Sequence, residues 1–204
     1  MVLTMNKAIK KSRISAANKI IKQARHASVG RVWAHGAFYE NDKQCLCTGH
    51  YGVILNDVLD IDHADCENKQ FDMHRTISDT LKNAPTDELT VSLNECKNAK
   101  LNFKRSSVYQ QRKQRTPIVQ IGDGYFNADY VELCLKVLGV RSADLRNHLP
   151  KATVHKVEVL SGSVVYHLTL ENELGLAFIC GIRTGKASEN VTQYTDIKKE
   201  ESAA

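Results

Sequence analysis

The chain has 204 residues, 42% hydrophobic and 25% charged, ordinary globular usage that supplies a real core and excludes fibrous or low-complexity classes. Its net charge of +5 and pI near 8.8 are mildly basic, compatible with a polyanionic partner without requiring one. No stretch approaches membrane-spanning length, and the segment from Met1 to Arg13 lacks the uninterrupted apolar run of a signal peptide. Six cysteines lie at 45, 47, 66, 96, 134 and 180; Cys45 and Cys47 alternate within one strand-like run, and Cys134 and Cys180 have apolar neighbours. The expectation is a reduced, soluble, cytoplasmic protein.

A first helix is expected from Ser15, with Ala17, Ile20, Ile21 and Ala24 as its apolar stripe and Asn18, Lys19, Lys22, Gln23 and His26 opposite. The segment Val2 to Arg13 reads as a strand or a helical extension. Arg31 to Tyr39 is strand-like, with Gly36 as a bulge, and Glu40 to Lys43 is a turn. Gln44 to Leu55 resumes as strand, broken at Gly49 and Gly52. Asn56 to Gln70 is acidic and irregular, anchored by Val58, Leu59 and Ile61.

A second helix covers Asp72 to Ala84 and is closed by Pro85. Its inner face is Met73, Ile77, Leu81 and Ala84; Arg75, Ser78 and Lys82 look outward. Leu89, Val91 and Leu93 alternate as a half-buried strand, Lys97 to Lys100 reads as a turn, and Leu101 and Phe103 restart the alternation. Ser107 to Gln111 adds a further strand. From Lys97 to Gly122 there is no acidic residue, and Arg112 to Thr116 reads as a basic connection between domains.

Pro117 to Leu138 is the best-specified stretch. A short strand containing Ile118 and Ile121 breaks at Gly122-Asp123-Gly124, and Asn127 caps a helix with Phe126 stapled onto Val131. Val131, Cys134, Leu135 and Leu138 form its stripe, and Gly139 stops it. After a polar insertion, Arg141 to Lys151, strands are expected at Val154–Leu160, Val164–Leu170 and Leu174–Arg183. In the last, Leu176, Phe178, Cys180 and Ile182 face away from Ala177, Ile179 and Gly181. Thr184 to Ala204 is polar and poor in anchors, the composition of a disordered tail. A helix followed by strands thus recurs three times, led by helices near 15–26, 72–84 and 127–138. The pattern is that of an α+β protein with helices on antiparallel sheets.

No phosphate-binding loop, dinucleotide fingerprint, metalloprotease helix or nucleophile elbow is present. Candidate zinc ligands are Cys45, Cys47, His50, His63 and Cys66, with His74 nearby, since thiolate and imidazole suit that metal. Their spacing is not that of a usual finger or ribbon. Buried strand cysteines account for Cys45 and Cys47 equally well, so no metal and no cofactor is expected.

The order of elements resembles the bacterial-type DNA polymerase sliding clamp, the processivity factor. Ile77 to Gln111 is similar to the clamp's helix, stop, strand, turn and two strands. Arg31 to Gly49 resembles its first hairpin, including Thr48-Gly49. Tyr125 to Gly139 resembles a helix opening a late clamp subdomain, and Leu174 to Arg183 resembles the closing strand. Abbreviated proteins of this kind are familiar from phages and mobile elements. The resemblance implies a DNA-clamp fold of three helix-plus-strands units, about one and a half clamp domains. One complete domain would be residues 1–113, a half domain 117–184 and a tail 185–204. It departs at Gly181, where the family tends to have Pro, and in unit number, since a full clamp protomer has six.

The resemblance implies a non-enzymatic DNA-replication accessory that binds duplex DNA without reading sequence. Lys19, Lys22, Arg25, Arg75, Lys82, Lys104, Arg105, Arg112, Lys113 and Arg115 would meet phosphates. The third helix, with Asp129, Glu132 and Lys136 outward, is not basic. Phe178, Cys180, Ile182 and Arg183 would bind a partner, a host polymerase or clamp loader. The unpaired half domain implies a homo-oligomer. The competing expectation is a mobile-element inhibitor that reuses the clamp fold against host replication or a nucleic-acid-guided defence nuclease.

Overall fold

The computed structural model describes residues 6–27, 36–63, 72–83, 85–105, 116–144, 149–158, 164–182 and 195–197. Helix α1 runs Lys7–Ala27, so the basic segment before Ser15 is a helical extension; it holds no Gly or Pro and is rich in good helix formers. The Asn6 side-chain oxygen accepts from the Ala8 N–H at 2.9 Å and covers its start. Ala17, Ile20, Ile21 and Ala24 are buried, as expected, and Arg13 joins them on the same stripe.

Strands β1 (Gly36–Glu40) and β2 (Lys43–Cys47) form a hairpin whose turn residues Asn41 and Asp42 have φ of 48° and 58°. A two-residue turn matched to strand twist needs that left-handed pair. Gly49, at φ 84°, separates β2 from β3 (Tyr51–Leu55), whereas Gly52 is an ordinary paired residue of β3 and breaks nothing. Of the three anchors expected after β3, Leu59 is buried, Ile61 packs on the core and Val58 is exposed. Gln44 holds this segment: its amide donates to the Leu59 carbonyl and its oxygen accepts the Leu59 N–H, at 2.9 and 2.8 Å.

Helix α2 (Met73–Leu81) is capped by Asp72, whose carboxylate accepts the Arg75 N–H at 2.7 Å. Met73 and Ile77 point inward as expected, but Thr80 takes the inner place expected of Leu81, which is exposed. The sheet below that turn offers a polar group, His167 Nδ1, 3.2 Å from the Thr80 hydroxyl. Strand β4 covers Pro85–Thr90.

The largest correction comes next. Leu93–Arg105 is one helix, α3, where a turn at Lys97–Lys100 and a strand at Leu101 and Phe103 were expected. Ser92 and Glu95 form a capping box, each side chain accepting the other's backbone N–H. Leu93, Cys96, Ala99 and Phe103 are buried at helical spacing, and Leu101 is exposed.

A hairpin of β5 (Ile118–Ile121) and β6 (Gly124–Asn127) leads into α4 (Ala128–Val137). Asn127 caps α4 as predicted, accepting from the Asp129 N–H at 2.9 Å, and Gly139 leaves it at φ 81°. Strands β7 (Lys151–Glu158), β8 (Val164–Asn172) and β9 (Gly175–Cys180) form a meander. Within the expected tail, Thr195–Ile197 is a strand, β10, parallel to β5. The expected strand at Ser107–Gln111 and the connection at 112–115 lie outside the described residues.

The seven-stranded sheet has the order β1-β2-β3-β9-β8-β7-β4, beside a smaller one, β10-β5-β6. The two are bridged where the Ile182 N–H donates to Tyr125 O at 2.7 Å. Central strands β3 and β9 pair antiparallel about Val53↔Ala177. The units α1-β1-β2-β3 and α4-β7-β8-β9 are therefore related by an approximate two-fold axis through this seam. The boundary expected between 113 and 117 separates strands that share this one sheet and one core cluster. Only two copies of the helix-plus-three-strands unit are present among the described residues, because α3 stands where the second unit would place its strands. On one sheet face lie α1 and α4, in contact with each other, and α3 packs beside α4 against β5 and β10 of the smaller sheet. On the other, α2 covers Phe38, Cys45, Cys47, Ile54 and Phe178.

Candidate nucleic-acid interface

Among the described residues, the exposed surface of α1 carries a concentrated positive charge. Lys7, Lys10, Lys11, Lys19, Lys22 and Arg25 are all exposed, and the helix holds no acidic residue from end to end. At about 100° per residue, Lys7, Lys11, Lys22 and Arg25 fall within an arc of roughly 60°, and the helix is about 31 Å long. The result is a straight basic ridge. Among the described residues, Lys7, Lys10, Lys11, Lys19 and Lys22 form no ion pair. Three lysines in the first turns sit at the positive end of the helix dipole, where acids would stabilise the helix. Their charge adds to the dipole's field, so the ridge attracts anions at some expense to α1's own stability.

Of the other expected phosphate-binding residues, Arg75 and Lys82 do not extend this ridge. Arg75 and Lys82 are exposed, but α2 lies on the opposite sheet face, and both flank Asp79, at 3.8 and 2.7 Å. Asp79's pKa is lowered, first by the hydrogen bond from Lys82. Lys104 is exposed on α3. Arg105 lies in α3 with its side chain outside the described residues, as are Arg112, Lys113 and Arg115. Sequence reading found Lys19, Lys22 and Arg25 but missed Lys7, Lys10 and Lys11, because the helix was started at Ser15. The missing signal was the lack of any breaker before that serine.

No family model, curated protein or solved structure matches this chain.

The polar residues of α4, expected to face outward, are turned onto α3 instead. Lys100 of α3 reaches Asp129 at 2.7 Å and Glu132 at 2.6 Å, and Lys136 also donates to Glu132, which is buried. Burial alone would raise the Glu132 pKa, but the two lysines, Lys100 foremost, lower it overall. Burial likewise acts to lower that of Lys100, and its bonds to Asp129 and Glu132 raise it. That face of α4 is thus covered from within the chain.

The residues expected to bind a partner hold the fold together where they are described. Phe178 is 4% exposed beneath α2, edge-on to His167 with ring centroids 5.0 Å apart. The Cys180 N–H donates to His50 O at 2.8 Å, Ile182 bridges the two sheets, and Arg183 lies outside the described residues. The five candidate zinc ligands, from which no metal was expected, also part company. Cys45 and Cys47 face α2, whereas His63 stacks on Tyr39 with centroids 4.7 Å apart and accepts from Gln44 Nε2 at 2.9 Å, on the other sheet face. His50 lies in the β2–β3 turn, and Cys66 is outside the described residues. Thiol chemistry finds no support at three other cysteines. Burial raises the Cys96 and Cys134 pKa values strongly and pushes that of Cys180 up to about 11.

A histidine pair lies under the end of α2. His155 donates through Nδ1 to the Asn83 carbonyl at 3.3 Å, and its Nε2 lies 3.1 Å from the Thr169 hydroxyl. His167, paired across the strands with His155, faces Thr80 of α2 and Phe178 of β9. Burial, with a smaller contribution from His155, lowers its pKa to about 4. In the unfolded chain a histidine titrates near 6.5, so between these values the unfolded state binds the proton first. Stability from this group is therefore full above about pH 6.5 and is lost as the pH falls toward 4. Allowing for the half-buried ring, the loss is roughly 2 kcal/mol. Urea unfolding at pH 7 and pH 4.5 measures it. His167→Gln should flatten the pH dependence, and an unchanged dependence in that variant would assign it to other groups.

Proposed function

We propose that the protein is a non-enzymatic nucleic-acid-binding module that holds duplex DNA by its phosphates along the exposed face of α1, without reading sequence. The observation that carries this reading is the acid-free surface of α1, with the ridge of Lys7, Lys11, Lys22 and Arg25 flanked by Lys10 and Lys19; its five lysines form no ion pair among the described residues. A ridge about 31 Å long spans roughly nine base-pair steps of a duplex, so several phosphates come within reach of one helix. Such a surface suits a replication accessory of the kind the clamp resemblance implies. Encirclement is not part of the reading, because the basic residues of α1 and α2 lie on opposite faces of the sheet.

Fluorescence anisotropy with mixed-sequence duplexes tests it. If about five phosphates are engaged, log K should fall against log salt with a slope of roughly −4 to −5, with little difference between sequences. Lys11→Glu combined with Lys22→Glu should weaken binding at least tenfold while the circular dichroism stays native. Arg75→Glu combined with Lys82→Glu should change it little. Salt-insensitive binding, or full affinity in the α1 variant, overturns the reading.

A further inference from the structure

Beneath the first turn of α2, three side chains from three elements converge. Glu40 closes β1, Cys45 lies in β2 on the same sheet face, and His74 is the second residue of α2. A carboxylate oxygen, the thiol sulfur and an imidazole nitrogen all lie within 4.8 Å of one another. His74 Nδ1 stands 3.2 Å from Glu40 Oε2, close to the roughly 3.3 Å between two ligands on a tetrahedral zinc ion. Yet Nδ1 is buried and makes no hydrogen bond among the described residues. The two atoms are near without being aligned as donor and acceptor, the arrangement of groups aimed at a common third atom.

The surroundings hold these groups in place. Glu40 Oε2 accepts the Met73 N–H at 3.1 Å, which fixes the carboxylate against the start of α2. Cys45 is fully buried, its sulfur 3.7 Å from the Lys43 carbonyl, and the His74 side chain is 31% exposed. The Met73 N–H bond to Glu40 is the kind of outer hydrogen bond that orients a metal ligand, and the weak bond from the Cys45 thiol to the Lys43 carbonyl is given up when the thiolate forms.

We propose that Glu40, Cys45 and His74 form a zinc site whose fourth position opens to solvent beside His74 and is filled by water. A thiolate and an imidazole favour zinc over magnesium or calcium. Binding releases the thiol proton, and the dication offsets the thiolate and carboxylate charges. The site joins the β1–β2 hairpin to α2. A nine-residue helix is too short to persist alone in water, and the metal secures it over Phe38, Ile54 and Phe178. This inference is independent of the DNA reading, since α1 contributes nothing to the site.

The full chain, stripped with chelator, should take up one zinc per molecule in competition with a chromophoric chelator. Cobalt in its place should show a thiolate charge-transfer band in the near ultraviolet. That band should vanish in Cys45→Ser and persist in Cys47→Ser. Glu40→Gln and His74→Gln should each weaken zinc binding at least tenfold; the partly exposed His74 is the position least able to disturb folding, and circular dichroism verifies it. Zinc should also slow amide exchange across residues 73–81 in the native chain and not in His74→Gln. No stoichiometric binding, native affinity in Cys45→Ser, or a band lost only with Cys47 overturns the proposal.

Discussion

Replacing Arg13 with alanine should destabilise the fold by about 3 kcal/mol, the cost of breaking a buried charged pair. The Arg13 side chain is wholly buried, and its two terminal nitrogens donate to both oxygens of Asp57 at 2.6 Å. Its Nε donates to Val137 O at 2.7 Å. That carbonyl belongs to the last residue of α4, where the helix leaves its carbonyls unpaired and its dipole favours a cation. One side chain therefore joins α1, the end of α4 and the segment after β3. Arg13→Lys should recover only part of the loss, because an ammonium cannot make the two parallel bonds and the third to Val137 together. Urea unfolding of both variants checks this, and a loss below about 1 kcal/mol in Arg13→Ala would show that the cluster contributes little.

Gly52→Ala is the second large effect, about 3 kcal/mol, at the upper end for overpacking. A Cβ at this position would lie 2.6 Å from Met73 Sδ and nearer still to the Leu46 carbonyl oxygen. The methionine can move; the carbonyl is held in the sheet. The added carbon therefore pushes on α2 through Met73 and on the β2–β3 pairing through Leu46. Amide exchange should quicken first in residues 73–81, and unfolding should need less denaturant. Gly36, at φ 77° but with its nearest neighbour 3.6 Å away, is the contrast. There an alanine meets strain without a clash, about 1 kcal/mol. Equal losses at both positions would mean that α2 does not rest on Gly52.

The sequence made some elements legible because several local signals agreed. At α4, the cap at Asn127, the stripe from Val131 to Leu138 and the stop at Gly139 all pointed the same way, and the structure follows them. At α3 the signals conflicted. Leu89, Val91 and Leu93, then Leu101 and Phe103, fit a strand's alternation, while Leu93, Cys96, Ala99 and Phe103 fit a helix equally well. Ser92 and Glu95, the capping box, decide for the helix. With α3 read as strands, a second helix-plus-strands unit looked complete, and the count of three such units gave the expected one and a half domains. Arg13 was hidden differently. It lies one turn before Ala17 on the apolar stripe, but a charged residue there says nothing of its partner until Asp57 and Val137 are folded beside it. The basic face of α1 was half legible, since Lys19 and Lys22 follow from periodicity alone. Of the three groups that converge under α2, Cys45 and His74 stood among the candidate metal ligands but Glu40 did not, because the grouping depends on where α2 crosses the sheet.

The pairing of β3 with β9 governs the order in which the sheet can be completed during synthesis. Strands β1 to β3 emerge early and can form a hairpin and meander from neighbouring residues. The partner of Leu55 is Gly175, so closure must wait until most of the chain has left the ribosome. Until then β3, which ends as a central strand, is an open edge with its hydrogen-bonding groups unpaired. The nascent protein therefore exposes Tyr51 to Leu55, a strand buried along its whole length in the finished fold, until the last meander is made and shields it.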